Sequence, residues 1–276
     1  MKSINCKGRL IDFNTPKVMG ILNTTPNSFY DGGRYGSLAA LMKHTEKMLE
    51  EGASIIDVGA YSSQPSASFV SEEEEIRRIL PVVIELERLF PGIVLSVDTF
   101  RSGVARQVLD HGAAMINDIS AGMLDDAMME TVAAFKAPYI MMHMKGTPQN
   151  MQQFTTYEDV MKEMIFYFSE RMATAKQHGI TDVIIDPGFG FSKTLDQNYE
   201  ILNKLELLQQ LEVPVLSALS RKSMIYRFLD TVPQEALNGT TVLNTVSLAK
   251  GADLLRVHDV KEAMECIKLY GKIHEE

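Results

Sequence analysis

Nine polar residues stand at or near the ends of short apolar runs in this chain: Asn23, Asp57, Asp98, Asn117, His143, Asp186, Ser220, Arg256 and His258. Asp98, Asn117 and Asp186 supply carboxylate acceptors and an amide that both donates and accepts. Such a set matches the adjacent N–H and C=O groups on the edge of a flat nitrogen heterocycle. The local alternative is that Asp98 caps a helix starting near Thr99 and that Asp186 closes a turn before Pro187. That explanation serves either residue alone better than the whole set, because buried acids need partners. Ser220-Arg221-Lys222-Ser223 follows the seventh run. A lysine there is either an amine nucleophile of the Schiff-base type or a fixed cation beside a ligand. Arg221 and the hydroxyls favour a polar binding loop, and two cations at a helix start are tolerated best when an anion joins them. Arg256 and His258 share one face of a strand by the two-residue period. Together, near a helix start, they suit a phosphate or pyrophosphate. His143 lies inside its run and reads as a core residue.

These residues need a frame that brings them together. β-rich runs recur at 17–23, 54–60, 94–99, 115–120, 139–144, 183–188, 215–220 and 254–259, with helical periodicity between them. Residues 37–53 form one such helix, with Gly52 as its stop. The stretch from Ser71 to Phe90 forms another, with Ser71 as N-cap and acids crowding the positive end of the dipole. Strict alternation implies parallel strands with right-handed crossovers, and near-continuous apolar strands imply a sheet covered by helices. Eight units over this length predict a closed (β/α)8 barrel of the TIM type, one α/β domain over residues 1–276. The active site of such a barrel lies at the C-terminal ends of its strands, where the polar residues fall.

Composition bounds the partners. The 276 residues carry a net charge of −9, so a general nucleic-acid partner is disfavoured, although a cleft can still hold an anion locally. No apolar run is long enough to cross a bilayer, and the first residues lack a secretory h-region, which predicts no membrane association. Cys6 and Cys266 show no ligand-like spacing, as expected of incidental thiols in a reduced cytoplasmic enzyme. The 17 methionines form no regular stripe and read as gap-filling core. GFGFSKT is similar to a nucleotide phosphate-binding loop but lacks its second glycine and four-residue gap, and no HExxH or CxxC suggests zinc.

Several blocks carry a family resemblance. MGILNTTPNSFYDGGRY, LSVDTFRSGVA, INDISAG, MHMKGTPQNMQ, DPGFGFSKTLDQNYEIL, LSRKSMI and LLRVHDVKEA resemble, in order, the blocks of the dihydropteroate synthases. The resemblance spans nearly the whole chain. It implies a pterin-binding barrel, a sulfonamide target, that joins hydroxymethyl-dihydropterin pyrophosphate to para-aminobenzoate in folate biosynthesis, releasing pyrophosphate. Matched motif by motif, Asp98, Asn117, Asp186 and Lys222 would hold the pterin, with Met141 against its ring. Asn23, Ser63, Arg256 and His258 would bind the pyrophosphate, and Asn23 would help hold Mg2+ on it. Phe29, Ser63, Gln64, Pro65, Phe191, Lys222 and Ser223 would line the para-aminobenzoate pocket. Asp98, Lys222, Arg256 and His258 would act in catalysis. The family is typically dimeric, so a homodimer is expected.

The chain departs from the family at Gln64, where an arginine is common, and at Ala121 and Ser192, where glycines are frequent. Gln64 removes a permanent cation and a donor fork. It gives the alternative of a catalytically weak pterin-binding paralogue its support. A pterin-dependent methyltransferase with a corrinoid partner is the other alternative, and the SRKS and RVHDV blocks speak against it.

Overall fold

The computed structural model describes residues 2–24, 34–60 and 70–274. The chain opens with an antiparallel hairpin that the sequence reading does not contain, β1 (Ser3–Cys6) and β2 (Arg9–Asp12). Its turn residues Lys7 and Gly8 both have positive φ, 53° and 84°. Paired positive φ values suit a two-residue hairpin loop whose twist matches the flanking strands.

Eight parallel strands follow: β3 (Lys17–Asn23), β4 (Ile55–Gly59), β5 (Leu95–Asp98), β6 (Met115–Asp118), β7 (Tyr139–Met142), β8 (Val183–Asp186), β9 (Leu216–Ser217) and β10 (Leu254–Val257). They pair in sequence order from β3 to β8, and β10 lies between β9 and β3. A parallel bridge between Ile185 and Val215 joins β8 to the approach of β9 and closes the barrel. The fold is the expected (β/α)8 barrel. The crossovers are α1 (Arg34–Glu50), α2 (Glu72–Leu89), α3 (Ser102–Asp110), α4 (Met128–Ala134), α5 (Val160–His178), α6 (Leu195–Asn203) and the paired α7 (Ser223–Tyr226) and α8 (Leu237–Ala249), and α9 (Val260–Ile273) follows the last strand.

Local signals behave as read. The Ser71 hydroxyl accepts from the Glu74 N–H and starts α2, whose first turn holds four glutamates. Gly52 follows α1 at φ 106°. Seven strands end one to three residues short of the run assigned to them, and β3 fills its run completely; Asp57, Asp98, Asn117, Asp186 and Arg256 lie within their strands, whereas His143, Ser220 and His258 lie beyond theirs.

Successive residues of each strand face opposite sides. Val18, Ile56, Val97, Ile116, Ile185 and Leu255 face outward into one large cluster with the helices. Met19, Ile55, Met115, Ile140, Ile184 and Leu254 face inward. These inward side chains pack with Ile4, Cys6, Ile11 and Phe13, so the hairpin plugs the N-terminal end of the barrel. The opposite end is left for chemistry.

Candidate active site

Two residues further along the inner face, the apolar layer becomes polar. Ile55 is followed inward by Asp57, Met115 by Asn117, Ile184 by Asp186, and Leu254 by Arg256. Arg256 is the hub. Its Nε donates to Asp57 Oδ2 at 2.6 Å and its Nη2 to Asp98 Oδ2 at 2.9 Å. Asn117 Nδ2 donates to the same Asp57 oxygen at 3.0 Å. Asp57 is fully buried, and its Oδ1 has no partner among the described residues. Desolvation opposes the Arg256 charge, but Asp57 and then Asp98 hold its pKa above the ordinary arginine value. Desolvation pushes the Asp98 carboxyl up to about 7, against the pull of Arg256.

Asp186, which ends β8, and Lys222, in the loop after the neighbouring β9, influence each other electrostatically. Asp186 Oδ1 accepts from the Gly188 N–H at 2.7 Å, and burial raises its pKa while Lys222 draws it back. Lys222 Nζ donates to the Phe189 carbonyl at 2.7 Å and sits 4.9 Å from the centre of the Phe191 ring. Desolvation lowers the lysine to about 8, with Asp186 opposing. The loop between them needs glycine at 188: φ is 68°, and a Cβ there would lie 2.4 Å from the His143 carbonyl. Phe191 packs on a small cluster of Ile119, Met142, Met144 and Met151, and Ser223 opens α7 beside Lys222.

At the rim, the Ser220 hydroxyl lies 3.2 Å from His258 Nδ1 and accepts from the His258 N–H at 3.3 Å. The residue is exposed to solvent. Desolvation and then the Arg256 charge hold it down at about 4, so it is neutral in the free protein near neutral pH. Asn23 is exposed at the end of β3. Gly59 leaves room beside it: a Cβ on Gly59 would lie 3.8 Å from Asn23 Oδ1 and 4.0 Å from Asp98 Oδ2. Phe29, Ser63, Gln64 and Pro65 lie outside the described residues.

Geometry thus brings Asp98, Asn117, Asp186, Lys222, Arg256, His258, Asn23, Phe191 and Ser223 to one end of the barrel. It does not bring Met141. That side chain is 0% exposed and lies in the outward cluster with Tyr139, because the two share one phase of the β7 alternation. Met142, opposite Asp186 in the register, faces inward with Phe191 and takes the place expected for Met141. Arg221 is also not a ligand-facing cation. Its guanidinium is held by both oxygens of Asp259, at 2.7 and 2.9 Å, and by the carbonyls of Pro233 and Gln234. The helix after it is one turn long, so its dipole offers little to an anion. Asp98 is no helix cap either: Arg101 holds the N-cap position of α3. His143 is core, with its ring edge-on to Tyr167 at 4.9 Å.

The polar strand position of Asp57 is visible in the sequence, but its anchoring role is not. Nor does the sequence single out Lys193, which is buried beside the site. Ala121 and Ser192, at φ 50° and 47°, occupy the left-handed region, which gives the physical reason that glycine is frequent at those positions.

No group of three or more His, Cys, Asp or Glu side chains suited to a metal occurs among the described residues. The exposed amide oxygen of Asn23 is a hard donor. Magnesium needs only one or two protein oxygens when phosphate and water supply the rest, so this position fits a phosphate-borne ion and not an all-protein cage.

Comparison with known proteins gives the family. Residues 19–258 match the model of the pterin binding enzyme family. The chain is 41% identical over 265 residues to the dihydropteroate synthase of Escherichia coli, covering 95% of this chain and 93% of that protein. It is 42% identical over 255 residues to that of a Synechocystis species, covering 91% and 88%. Among solved structures, Yersinia pestis dihydropteroate synthase in a sulfonamide drug complex superposes with a TM-score of 0.92 at 38% identity, covering 98% of each chain. The Xanthomonas albilineans dihydropteroate synthase with 4-aminobenzoic acid gives a TM-score of 0.92 at 36% identity, covering 99% and 98%. With its barrel, its polar mouth and these relatives, the chain belongs to the dihydropteroate synthases, pterin-binding transferases of folate synthesis.

Proposed function

We propose that this mouth joins the methylene carbon of hydroxymethyl-dihydropterin pyrophosphate to the amine of para-aminobenzoate. The C–O bond to pyrophosphate breaks, a C–N bond forms, and the amine gives up one proton. The observation that carries this reading is the convergence of Asp98, Asn117, Asp186 and Lys222 on one inner face, flanked by Arg256. Two carboxylates and one amide accept from the amino edge of a pterin. Lys222 donates from the Phe191 side, and Met142 supplies an apolar contact for the ring. The relatives bound to a sulfonamide drug and to 4-aminobenzoic acid support the choice of second substrate.

Arg256 is committed to Asp57 and Asp98 through Nε and Nη2, so it meets the pterin end of the substrate first and reaches the phosphates only over that edge. His258 and Ser220 stand at the rim, near the start of α9, where the departing pyrophosphate would lie. Proximity of a phosphate would raise the His258 ring from about 4 and favour its charged, donating form. Bound beside Asn23, Mg2+ would neutralise charge building on the leaving group. The acids around the inner end would stabilise positive charge on the methylene carbon as the bond opens. Phe191, Ser223 and Lys222 would receive the benzoate, with Phe29, Ser63, Gln64 and Pro65 completing its pocket. Exposed Phe228, Leu229, Val232, Val242, Leu269 and Ile273 lie on or between α7, α8 and α9 and support a homodimer through that side. A reduced cytoplasm suits the two buried free thiols.

The test is pyrophosphate release from the pterin substrate with and without para-aminobenzoate, in magnesium and after chelation. Release that needs both the aminobenzoate and magnesium is expected. Release independent of the aminobenzoate, or none with every component present, would overturn the assignment.

A further inference from the structure

Lys193 lies seven residues beyond Asp186, just before the Thr194 N-cap of α6, and only 4% of it is exposed. A lysine is seldom buried this deeply without paired charge. Its Nζ meets three main-chain carbonyls and no side chain: His143 at 3.1 Å, Gly188 at 3.0 Å and Phe191 at 2.9 Å. Three acceptors with no donor among them are satisfied together only by an ammonium, which has three protons to give. Burial drives its pKa well down, and the nearby Asp186 charge opposes that fall.

The three carbonyls belong to the segments that carry the site. The Gly188 carbonyl joins the peptide leading to Phe189, whose own carbonyl accepts Lys222 Nζ. The Gly188 N–H is the donor to Asp186. Phe191 carries the ring beside Lys222. His143 directly follows Met142, the inward methionine. One buried ammonium therefore ties the ends of β7 and β8 and the loop after Asp186 into a single piece. Neighbouring contacts reinforce it: the Ser192 hydroxyl accepts from the Lys145 N–H at 3.0 Å, and Gly190 N–H donates to Asn198 Oδ1 at 2.6 Å.

We infer that Lys193 is a positioning residue for the pterin end of the site, fixing the Asp186 carboxylate, the Phe189 carbonyl under Lys222 and the Phe191 wall through a three-carbonyl cage. This rests on the pterin reading given above. It touches no part of the cluster at the rim, where Ser220 follows β9 and His258 follows the neighbouring β10. The inference therefore separates two affinities that a general loss of structure would weaken together.

The experiment is calorimetric binding of two probes, a pterin without phosphate and magnesium pyrophosphate, to the parent, Lys193→Met and Lys193→Arg. Methionine matches the length without donors. Arginine keeps the charge, but its planar fork cannot direct three donors at converging carbonyls. Both variants should weaken pterin binding at least tenfold while magnesium pyrophosphate binding stays within twofold. If Lys193→Met does not fold, Lys193→Gln, which keeps two donors on one amide, carries the same comparison. Pterin affinity within twofold of the parent, or equal loss for both probes, would overturn the inference and leave Lys193 a stability residue only. A parent that binds no pterin would sink the pterin reading itself, and this inference with it.

Discussion

The two ends of the barrel interior use the same strands and the same face to opposite purposes. At the N-terminal end, Met19, Ile55, Met115, Ile184 and Leu254 meet the hairpin in a dry, uncharged layer. One inward step along, Asp57, Asn117, Asp186 and Arg256 form a charged layer in which desolvation works against several ionised forms. The step of two residues is one pleat, about 7 Å of strand. Within that distance the chain moves from residues that stabilise the fold by leaving water to residues held charged at a cost. The cost is offset by pairing inside the layer and, in the complex, by the ligand. Packing and function are thus separated along each strand, which lets the mouth vary while the plug remains.

The largest effect should come from the charged layer. Asp186→Asn keeps an oxygen to accept the Gly188 N–H, so the fold should survive with a melting temperature close to the parent's. A charged hydrogen bond to the ligand would be lost and a donor would face donors, about 3 kcal/mol in all, or roughly a hundredfold in kcat/KM. Steady-state kinetics beside a thermal melt checks both halves. A matching fall in melting temperature would mean that Asp186 belongs to the packing.

Two residues back, Ile184→Ala should do the reverse. Ile184 is fully buried in the plug layer. Removing three carbons there should cost about 2–4 kcal/mol of stability. In the folded fraction kcat/KM should stay within about twofold, since the deleted carbons carry no hydrogen bond and the pairs of the polar layer keep all their partners. Denaturant titration and kinetics at low temperature would measure the pair, and a large kinetic loss would show that the layers are coupled.

A third test uses pH. With Asp98 raised to about 7 and Lys222 lowered to about 8, the free protein loses the acceptor below the first value and the ammonium above the second. The kcat/KM for the pterin substrate should climb through about 7 and fall through about 8, changing about tenfold per unit outside that window. The limbs belong to the Asp98, Lys222 and Arg256 cluster as a whole. Asp98→Asn should flatten the acid limb and leave the alkaline one. Stability carries the opposite sign for Asp98: a raised acid contributes fully below its unfolded value, and the contribution is lost as pH rises through about 7. The inward layer of Met19, Ile55, Met115, Ile184 and Leu254 carries no carboxylate and should be indifferent to this range.

The smallest effect concerns the loop after β6. Ala121 is buried at φ 50°, a conformation that strains an L-residue. Ala121→Gly should relieve about 1–2 kcal/mol of that strain and return part of it as unfolded-state entropy, a net gain of about 0.5–1 kcal/mol. Chemical denaturation resolves a change of that size, and a loss of stability would mean that the methyl group earns its place by packing.

By itself the sequence determined the architecture and the location of the site. Alternating runs of two periods and polar strand ends are local properties, and they sufficed for the parallel barrel and for the C-terminal mouth. The blocks around Asp98, Asn117, Asp186, Lys222, Arg256 and His258 sufficed for the family. The hairpin leaves no clear sequence signal, because its two strands are four residues each and half polar. Three features were decided only by tertiary structure. Met141 and Met142 stand together in a strand apolar on both faces, so no alternation reveals which one turns inward; the register opposite Asp186 decides it. Arg221 and Arg256 look alike in sequence, yet one is clamped by Asp259 and the other by Asp57 and Asp98, partners 38, 199 and 158 residues distant. Lys193 reads as an ordinary polar residue before a helix, because its partners are carbonyls, which every residue carries and no sequence marks. Which of them converge is a property of the folded backbone alone.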